Sequence, residues 1–314
     1  MANYCHELED FEQLCRATGG DKYIPPQLVE KDYWIMHCLW GLKQLGFEFH
    51  LKGGTSLSKG WGLLERCSED IDVLIFPPSG EELPTGRNHK KPVHVEKRRR
   101  YFEDLKEQIK IPGIVDVIRE VAYDDEQMRG AGIRLKYNSL FDEIKGVKSG
   151  ILLEVGFDQT TPNEEKNISS WAYDRVVSVG VKVNDNRAKG VACYCPEYTF
   201  VEKLQAISTK FRQEQESGEL NENQLRHYYD VDCLLKEDRV QKFIGTDSYF
   251  KHKKKRFRPM DEPDLTINEG FLLSDPNTLN KYEKGFHNIE SLFYGEKPKM
   301  KKILENLKPW LPKL

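Results

Sequence analysis

The sequence predicts an α+β fold, with a mixed α/β sheet domain over residues 1–195 and an α-helical domain over residues 196–314. Short apolar runs with strand-like alternation are concentrated in the first domain, where they follow or precede helical segments. After Pro196 the apolar residues recur with helical spacing instead. The chain of 314 residues, 38% hydrophobic and 32% charged, is long enough to build both cores.

The N-terminal half predicts a helix and two strands before residue 77. Residues 26–45 have an apolar stripe at helical spacing and prolines at the entry, which is typical of a helix start. "FEFHL" (47–51) alternates as a strand, and a short helix is expected from Thr55 to about Leu64. Residues 70–76 then form a strand that ends at a proline pair.

An insertion is predicted over about residues 77–98, because residues 79–95 are rich in Gly, Pro, His and Lys. A charged helix at about 96–109 and three strands follow it, namely "GIVDVIREVAY", "AGIRLKY" and "GILLEVGF". In the second half we expect helices at about 197–216, 221–237, 278–293 and 298–311. The polar and basic segment 246–277, with several prolines, predicts a long irregular connection.

Several protein classes are disfavoured by the composition. No apolar run approaches the length of about 18 residues that a membrane-spanning helix needs. The acidic, amphipathic N-terminus does not resemble a secretory signal. The seven cysteines are odd in number and favour reduced cytosolic thiols, and Cys193-Tyr194-Cys195 lacks the spacing of a zinc site. We therefore expect a cytoplasmic protein without a membrane partner.

Basic residues are clustered although the net charge is −3. Three runs stand out, "HKKPVHVEKRRR" (89–100), "FKHKKKRFR" (250–258) and "KPKMKK" (297–302). Each run alone is typical of a solvated helix face or loop. Interleaved Tyr101, Phe250 and Phe257 favour contact with a polyanion, since aromatic rings stack on unpaired bases. The residues predicted to contact RNA are Lys253, Lys254, Lys255, Arg256 and Arg258.

Asp70 and Asp72 form an acidic pair at the start of a strand predicted to be buried. Side chains two apart on a strand point to the same face, so the two carboxylates repel each other unless a cation lies between them. Oxygen ligands of this kind suit Mg²⁺, or Mn²⁺, bound together with substrate phosphates. A pair of turn acids without a metal is the alternative interpretation.

The residues before this pair favour a phosphate site. Gly53-Gly54 lets the backbone approach a ligand closely, and a helix that opens at Thr55 offers unpaired N–H groups to an anion. We expect Lys59 and Arg66 to neutralise phosphate charge, with Ser68 opening the Ser-x-Asp-x-Asp run; these residues, with Gly53, Gly54 and Thr55, form the predicted nucleotide site. The pattern is not a P-loop, because GxxxxGK[ST] is missing.

Glu154 is the best candidate for the third carboxylate that two-metal phosphoryl chemistry usually recruits. It is a charged residue inside the apolar strand "GILLEVGF". A strand glutamate that faces solvent is the alternative, and Asp158 at the end of that strand is a weaker candidate.

Six blocks in order resemble one protein family: "VEKDYWI" (29–35), "KGGTSLSK" (52–59), "RCSEDIDVLIF" (66–76), "ILLEVGF" (151–157), "VEKLQAIS" (201–208) and "RHYYDVDCLL" (226–235). Together they resemble the AbiEii/AbiGii-type nucleotidyltransferase toxins, relatives of the MenT toxins in the polymerase β superfamily. The resemblance extends over roughly residues 25–310 and implies a polymerase β-like nucleotidyltransferase fold for the first domain.

By this resemblance, Gly54 and Thr55 match the family's phosphate motif, and Asp70 and Asp72 match its metal-binding acids. Lys203 matches a lysine that contacts nucleotide phosphates, and Asp230 matches the acid of the helical-domain motif. Arg226 and His227 fall where the family has Arg-Asp or Arg-His, so the role of that position stays open.

The residues themselves allow structural roles for the last two. Lys203 adjoins an apolar stripe of Phe200, Leu204 and Ile207, where a lysine can extend its ammonium group to solvent. Asp230 lies on a face too apolar for an ordinary solvated acid, and it could orient Lys203 or Arg226 instead.

The combined interpretation is a Mg²⁺- or Mn²⁺-dependent nucleotidyltransferase with catalytic residues Asp70, Asp72, Glu154, Lys203 and Asp230. It would add NMP from an NTP to an RNA 3′ end, with the tRNA acceptor end as the expected target. The resemblance implies the toxin of an abortive-infection or toxin–antitoxin pair, with an antitoxin as partner. Two alternatives are nucleotidylation of a protein hydroxyl, for instance on the antitoxin, and a catalytically silent nucleotide- or partner-binding module.

Overall fold

The computed structural model describes residues 2–78, 82–86, 88–142, 148–158, 160–295 and 297–314. The chain divides into two compact units. Unit 1 comprises Met1–Gly62 and Cys67–Tyr194, and unit 2 comprises Leu63–Arg66 and Cys195–Leu314. The short segment Leu63–Arg66, which falls inside the predicted first domain, thus belongs to unit 2. The α+β class is confirmed, since a mixed sheet is combined with many helices.

Unit 1 contains the sheet and five helices among its described residues. The helices are α1 (Phe11–Lys22), α2 (Pro26–Gln44), α3 (Gly53–Thr55), α4 (Pro92–Gln108) and α5 (Trp171–Ser178). The strands are β1 (Phe49–Lys52), β2 (Asp70–Ile75), β3 (Ile114–Arg119), β4 (Gly130–Tyr137), β5 (Ile151–Gly156), β6 (Asn163–Ile168) and β7 (Ala188–Tyr194). The strand order is β3-β4-β5-β2-β1-β7-β6.

The sheet is mixed, and β2 lies near its centre between β5 and β1. β2 runs parallel to β5 and antiparallel to β1. Exposure alternates along β2, because Ile71, Val73 and Ile75 are fully buried on one face. Asp70 and Asp72 therefore share the opposite face, as their spacing predicts.

The predicted helix from Thr55 to about Leu64 is wrong at both ends. Helix α3 begins at Gly53 and continues as a π-helical turn over Ser56–Gly60. Gly53 and Gly62, with φ values of +69° and +68°, have the left-handed backbone conformation that glycine adopts without strain. The two glycines thus bracket a shorter helical segment than the sequence pattern indicates.

Unit 2 is helical in its described residues. Its helices are α6 (Pro196–Ser217), α7 (Arg226–Leu234), α8 (Asp238–Phe243), α9 (Asp247–Arg256), α10 (Glu269–Leu272), α11 (Pro276–Asn288) and α12 (Met300–Leu307). The predicted inward stripe of α6 is confirmed, because Phe200, Leu204 and Ile207 are at most 3% exposed.

The predicted irregular connection over 246–277 is wrong, since it contains α9 and α10. Thr246 caps α9 by accepting a hydrogen bond from the Tyr249 amide, and the Tyr249 side chain is fully buried. Asn268 caps α10 in the same way through the Gly270 amide. Capping and one buried anchor stabilise these helices although their surfaces are polar.

The predicted insertion over 77–98 includes the first residues of α4. Its described residues before Pro92 form no helix or strand, while residues 79–81 and 87 lie outside the described part. All seven cysteines are free thiols. Within the described ranges, no helix combines the length and the apolar character that crossing a membrane requires.

Candidate active site

The carboxylates of the predicted site meet on the central strands of unit 1. Asp72 on β2 is the register partner of Glu154 on the parallel strand β5 and of Lys52 on the antiparallel strand β1. Side chains of directly paired residues lie on the same face of a sheet. Two strands far apart in sequence therefore bring Asp72 and Glu154 together, with Asp70 two residues away on the same face.

Electrostatics at this position favour a bound cation. Burial, and next the negative charges of Asp72 and Asp70, raise the pKa of Glu154 to about 8, against the opposing charges of Lys52 and Lys148. The Glu154 side chain is only partly exposed, so it is not an ordinary solvated strand glutamate. Asp158, the weaker candidate, lies two residues beyond the end of β5.

Gly53 makes room for one of these carboxylates. A Cβ atom built on Gly53 would lie 2.0 Å from Oδ2 of Asp72, a distance at which no side chain fits. The positive φ of this residue, +69°, is a second reason for glycine. The backbone at the start of α3 thus approaches the acidic face of β2 closely.

Hydrogen bonds of the Thr55 hydroxyl, one of them to Ser68, connect α3 to the start of β2. The Thr55 side chain is 1% exposed, its hydroxyl lies 2.7 Å from Oγ of Ser68, and it also donates to the carbonyl of Asp70. Gly54 is buried next to it. The two hydroxyls of the predicted nucleotide site therefore already hold the acidic strand against α3.

Lys59 has a partner within unit 1. Its Nζ atom lies 2.7 Å from Oδ1 of Asp32 and 4.9 Å from the ring centroid of Trp171, and its side chain is 13% exposed. These contacts support a structural role, whereas the sequence predicts a phosphate ligand.

The sequence predicts a helix over "VEKDYWI" and a family resemblance, but not the structural role of its charged residues. Three consecutive charged residues of α2 are at most 4% exposed. Each of them forms hydrogen bonds to a different segment of the chain. Glu30 accepts from the Ser139 hydroxyl and the Leu140 amide, at 2.7 and 3.0 Å. Lys31 donates to the carbonyls of Lys148 and Gly150, directly before β5, and Asp32 accepts from the Trp171 amide at 2.8 Å. A charged triplet inside a strongly apolar helix is the signal that could have revealed this role.

The donor set fits a hard divalent metal. Asp70, Asp72 and Glu154 offer oxygen atoms only, which Mg²⁺ and Mn²⁺ prefer, and the absent Cβ of Gly53 lets the Asp72 carboxylate lie against the backbone of α3. In the described part of the chain, no group of three or more His, Cys, Asp or Glu side chains is arranged to hold a metal ion. The three acids thus share one face without forming a closed ligand cluster.

Unit 2 contains a second buried charge cluster. Arg66 donates from Nε and Nη2 to the two oxygens of Asp230, at 2.6 and 2.8 Å. Nζ of Lys203 lies 3.2 Å from Oδ2 of Asp230, and it donates to Nδ1 of His227 at 3.2 Å. Both Arg66 and Asp230 are at most 1% exposed. Arg66 is therefore committed to Asp230, although the sequence predicts a phosphate contact.

Burial and neighbouring charges shift the pKa values of three residues in this cluster. Burial opposes ionisation of Asp230, but the charges of Arg66 and Lys203 outweigh it and hold its pKa well below the usual range. Burial lowers the pKa of Lys203, against the attraction of Asp230. Burial, and next the charge of Lys203, lower the pKa of His227 to about 3, so His227 is neutral at pH 7.

The basic residues predicted to contact RNA differ in their exposure and in their interaction partners. Lys253 donates to the carbonyl of Leu314 and lies 5.4 Å from the ring centroid of Phe257. Arg256 pairs with Glu202 at 2.9 Å, and its side chain is 13% exposed. Lys254, Lys255 and Arg258 are exposed. Three of the five predicted cations are thus open to solvent.

Comparisons with known proteins identify the family of the chain. The family model "Nucleotidyl transferase AbiEii toxin, Type IV TA system" matches residues 35–306. No curated protein matches the chain significantly. One similar solved structure is an antigenic nucleotidyltransferase-like protein from Paracoccidioides brasiliensis, with 12% identity over 82% of this chain and 93% of that chain and a TM-score of 0.36, which is too low to carry an argument. From the family match, the chain belongs to the AbiEii nucleotidyltransferase toxins of type IV toxin–antitoxin systems.

Proposed function

We propose that this nucleotidyltransferase adds a nucleoside monophosphate to the 3′ end of an RNA, with the acceptor end of tRNA as its target. The observation that carries the proposal is the register pairing of Asp72 with Glu154, with Asp70 on the same face and Gly53 closing on Asp72. These acids place oxygen ligands on one face of the sheet beside a close-approaching backbone, as phosphoryl transfer requires.

The reaction is an in-line displacement. The 3′-oxygen of the RNA attacks the α-phosphorus of the NTP, the bond to the bridging oxygen of the β-phosphate breaks, and pyrophosphate leaves. Asp70 and Asp72 would hold the divalent metal, and Glu154 would complete the ligand set or accept the proton that the attacking hydroxyl loses. When bound there, Mg²⁺ or Mn²⁺ supplies positive charge to the phosphate oxygens.

Gly53, Gly54 and Thr55 bring the backbone N–H groups of α3 to the nucleotide. Ser68 and Thr55 keep that backbone in register with β2, as their mutual hydrogen bond supports. We assign Lys59 to the structural pair with Asp32, since its ammonium group is already neutralised there.

Lys203 is our candidate for a further contact to the nucleotide phosphates. Asp230 orients its ammonium group, and Arg66 in turn fixes Asp230 through two hydrogen bonds. Arg66 and Asp230 are thus positioning residues, and Lys203 is the residue proposed to contact substrate.

The toxin family implies an NTP substrate and an antitoxin partner. We propose that the enzyme acts in the cytoplasm in an abortive-infection response, where modified tRNA acceptor ends would block translation. Exposed Lys254, Lys255 and Arg258 on and after α9 supply phosphate contacts for the RNA in this account.

The test is to incubate the full chain with total RNA, Mg²⁺ and each α-labelled NTP in turn, and to resolve RNA and protein products separately. The proposal predicts label on an RNA of tRNA size, released by 3′ exonuclease. A matched pair of variants separates the site from general folding effects. Asp72→Asn should lose transfer, whereas Asp116→Asn, on the exposed face of β3, should keep it. Label found only on protein would contradict the proposal and favour nucleotidylation of a protein hydroxyl.

A further inference from the structure

We propose that the exposed basic face of α4 in unit 1 binds the phosphate backbone of the RNA substrate. The proposal rests on the proposed function, because it takes RNA as the acceptor. It concerns Lys90 and Lys91, directly before α4, and Lys97, Arg99 and Arg100 on α4. All five are exposed, and we name them the α4 basic surface.

The α4 basic surface has a large excess of one charge. Residues 88–100 contain six lysines and arginines but a single acid, Glu96. Glu96 lies 3.2 Å from Arg100 and 3.6 Å from Arg99, and the side chains of these arginines are still 76% and 52% exposed. One carboxylate cannot neutralise this group, so a field attractive to polyanions remains.

A buried cation, Arg98, adds to this positive field from within the fold. Arg98 is fully buried and donates to the backbone carbonyls of Gln127, Pro84 and His89 rather than to a carboxylate. Desolvation, and next the positive charges of His89, Lys91 and Arg98, lower the pKa of His94. The charge of Arg98 is thus held in the interior, next in sequence to exposed Lys97 and Arg99.

The helix is packed firmly on the strands that carry the acids. Tyr101 donates from its hydroxyl to the carbonyl of Ile75, the last residue of β2, at 3.4 Å. The ring of Phe102 stacks on Phe157, directly after β5, with centroids 5.3 Å apart. Ile75 is three residues beyond Asp72, which is about 10 Å along a strand. The helix is therefore within reach of the upstream phosphates of an RNA whose 3′ end is at Asp72.

The chemistry of the surface favours phosphates over bases or a protein partner. Tyr101, which the sequence suggests as a stacking platform, is only 6% exposed and offers no ring face to a base. Among the described residues of this segment, Val93 is the one exposed large apolar side chain. Protein interfaces need an apolar or aromatic centre that this surface lacks. Contact by lysine and arginine alone predicts binding that is independent of sequence and sensitive to salt.

The experiment measures the affinity of the full chain for a fluorescently labelled tRNA without NTP. The salt concentration is varied between 50 and 200 mM KCl, a range over which the affinity of phosphate-contacting proteins changes strongly. The triple variant Lys97→Gln, Arg99→Gln, Arg100→Gln should reduce the magnitude of the slope of log affinity against log salt by about 2–3. The control Lys136→Gln, Lys182→Gln, Lys189→Gln removes three exposed charges elsewhere in unit 1 and should leave the slope unchanged. Glu96→Gln should strengthen binding.

Equal slopes for both triple variants and the parent would overturn the proposal, and an acidic protein would then be the better partner for this surface. Its failure is distinguishable from failure of the proposed function. A parent that binds with the predicted slope change but labels no RNA would contradict the proposed function and leave the α4 basic surface standing.

Discussion

Arg66 and Asp230 are joined by two parallel hydrogen bonds, of 2.6 and 2.8 Å, in the interior of unit 2. The two residues are separated by 164 positions in the sequence, and neither is more than 1% exposed. The buried Asp230 carboxylate neutralises Arg66 and also contacts Lys203. We therefore expect its removal to lower the stability of the fold, in addition to any effect on catalysis.

We expect Asp230→Asn to destabilise the protein by about 3–5 kcal/mol, because it leaves Arg66 and Lys203 buried without their counter-charge. Urea unfolding followed by circular dichroism measures this loss. Asp238→Asn is the control, since Asp238 pairs with Lys242 and both side chains are at least 80% exposed, and it should cost about 1 kcal/mol or less. Equal losses for the two variants would contradict the role given to Asp230.

Stability should fall in mild acid through His227. Its pKa in the folded protein, about 3, lies below the ordinary value of 6.5. A histidine with a depressed pKa stabilises the fold above pH 6.5, and this contribution is lost as the pH falls toward 3. Between pH 6.5 and 4.5, the parent should lose about 2 kcal/mol more unfolding free energy than His227→Gln. Parallel pH curves for the two proteins would refute the assignment.

Gly53→Ala should abolish transfer while lowering stability only moderately. The new Cβ would displace the Asp72 carboxylate, and the left-handed backbone adds about 1–2 kcal/mol of strain. Gly62→Ala is the control, because Gly62 has nearly the same φ and no atom within 4 Å of an added Cβ. We predict similar melting temperatures for both variants but loss of transfer in Gly53→Ala alone. Loss of transfer in Gly62→Ala as well would point to general strain.

The pair of Asp32 and Lys59 can be tested by a double-mutant cycle. Lys59→Met alone leaves the Asp32 carboxylate buried without its cation and should cost about 3–5 kcal/mol. Adding Asp32→Leu should recover part of that loss, with about 1–3 kcal/mol remaining for the lost hydrogen bond from the Trp171 amide.

Nucleotide use separates the two roles considered for Lys59. If Lys59 is structural, the double variant keeps the parent KM for NTP once folding is matched. A raised KM in the stable double variant would instead assign Lys59 to the nucleotide phosphates.

The local sequence pattern predicts the structure correctly where burial alternates regularly along a strand. The prediction that Asp70 and Asp72 share one face of a strand needs only the period of two, and the structure has this arrangement. Strand β6, "NEEKNI", was missed because it is a charged strand at the edge of the sheet. Helix α9 was missed because six of its ten residues are basic and its stability depends on capping by Thr246 and on buried Tyr249.

Partners distant in sequence could not be read from spacing. Charge type and neighbourhood suggested phosphate contacts for Lys59 and Arg66, yet each is paired with a carboxylate that no local pattern identifies. The third carboxylate was inferred from one charged residue in an apolar strand, and only the β2–β5 register places Glu154 opposite Asp72. Tertiary pairing, rather than propensity, decides such roles.

The central claim is that the acids of β2 and β5 carry nucleotide transfer, and one comparison tests it most directly. Transfer of label from each α-labelled NTP to tRNA is measured for the parent, Asp72→Asn and Glu154→Gln, at matched folding by circular dichroism. The account predicts transfer by the parent and its loss, by at least about a hundredfold as for other charge-stabilising groups in active sites, in both variants. Parent-like transfer by a well-folded Asp72→Asn variant would contradict it.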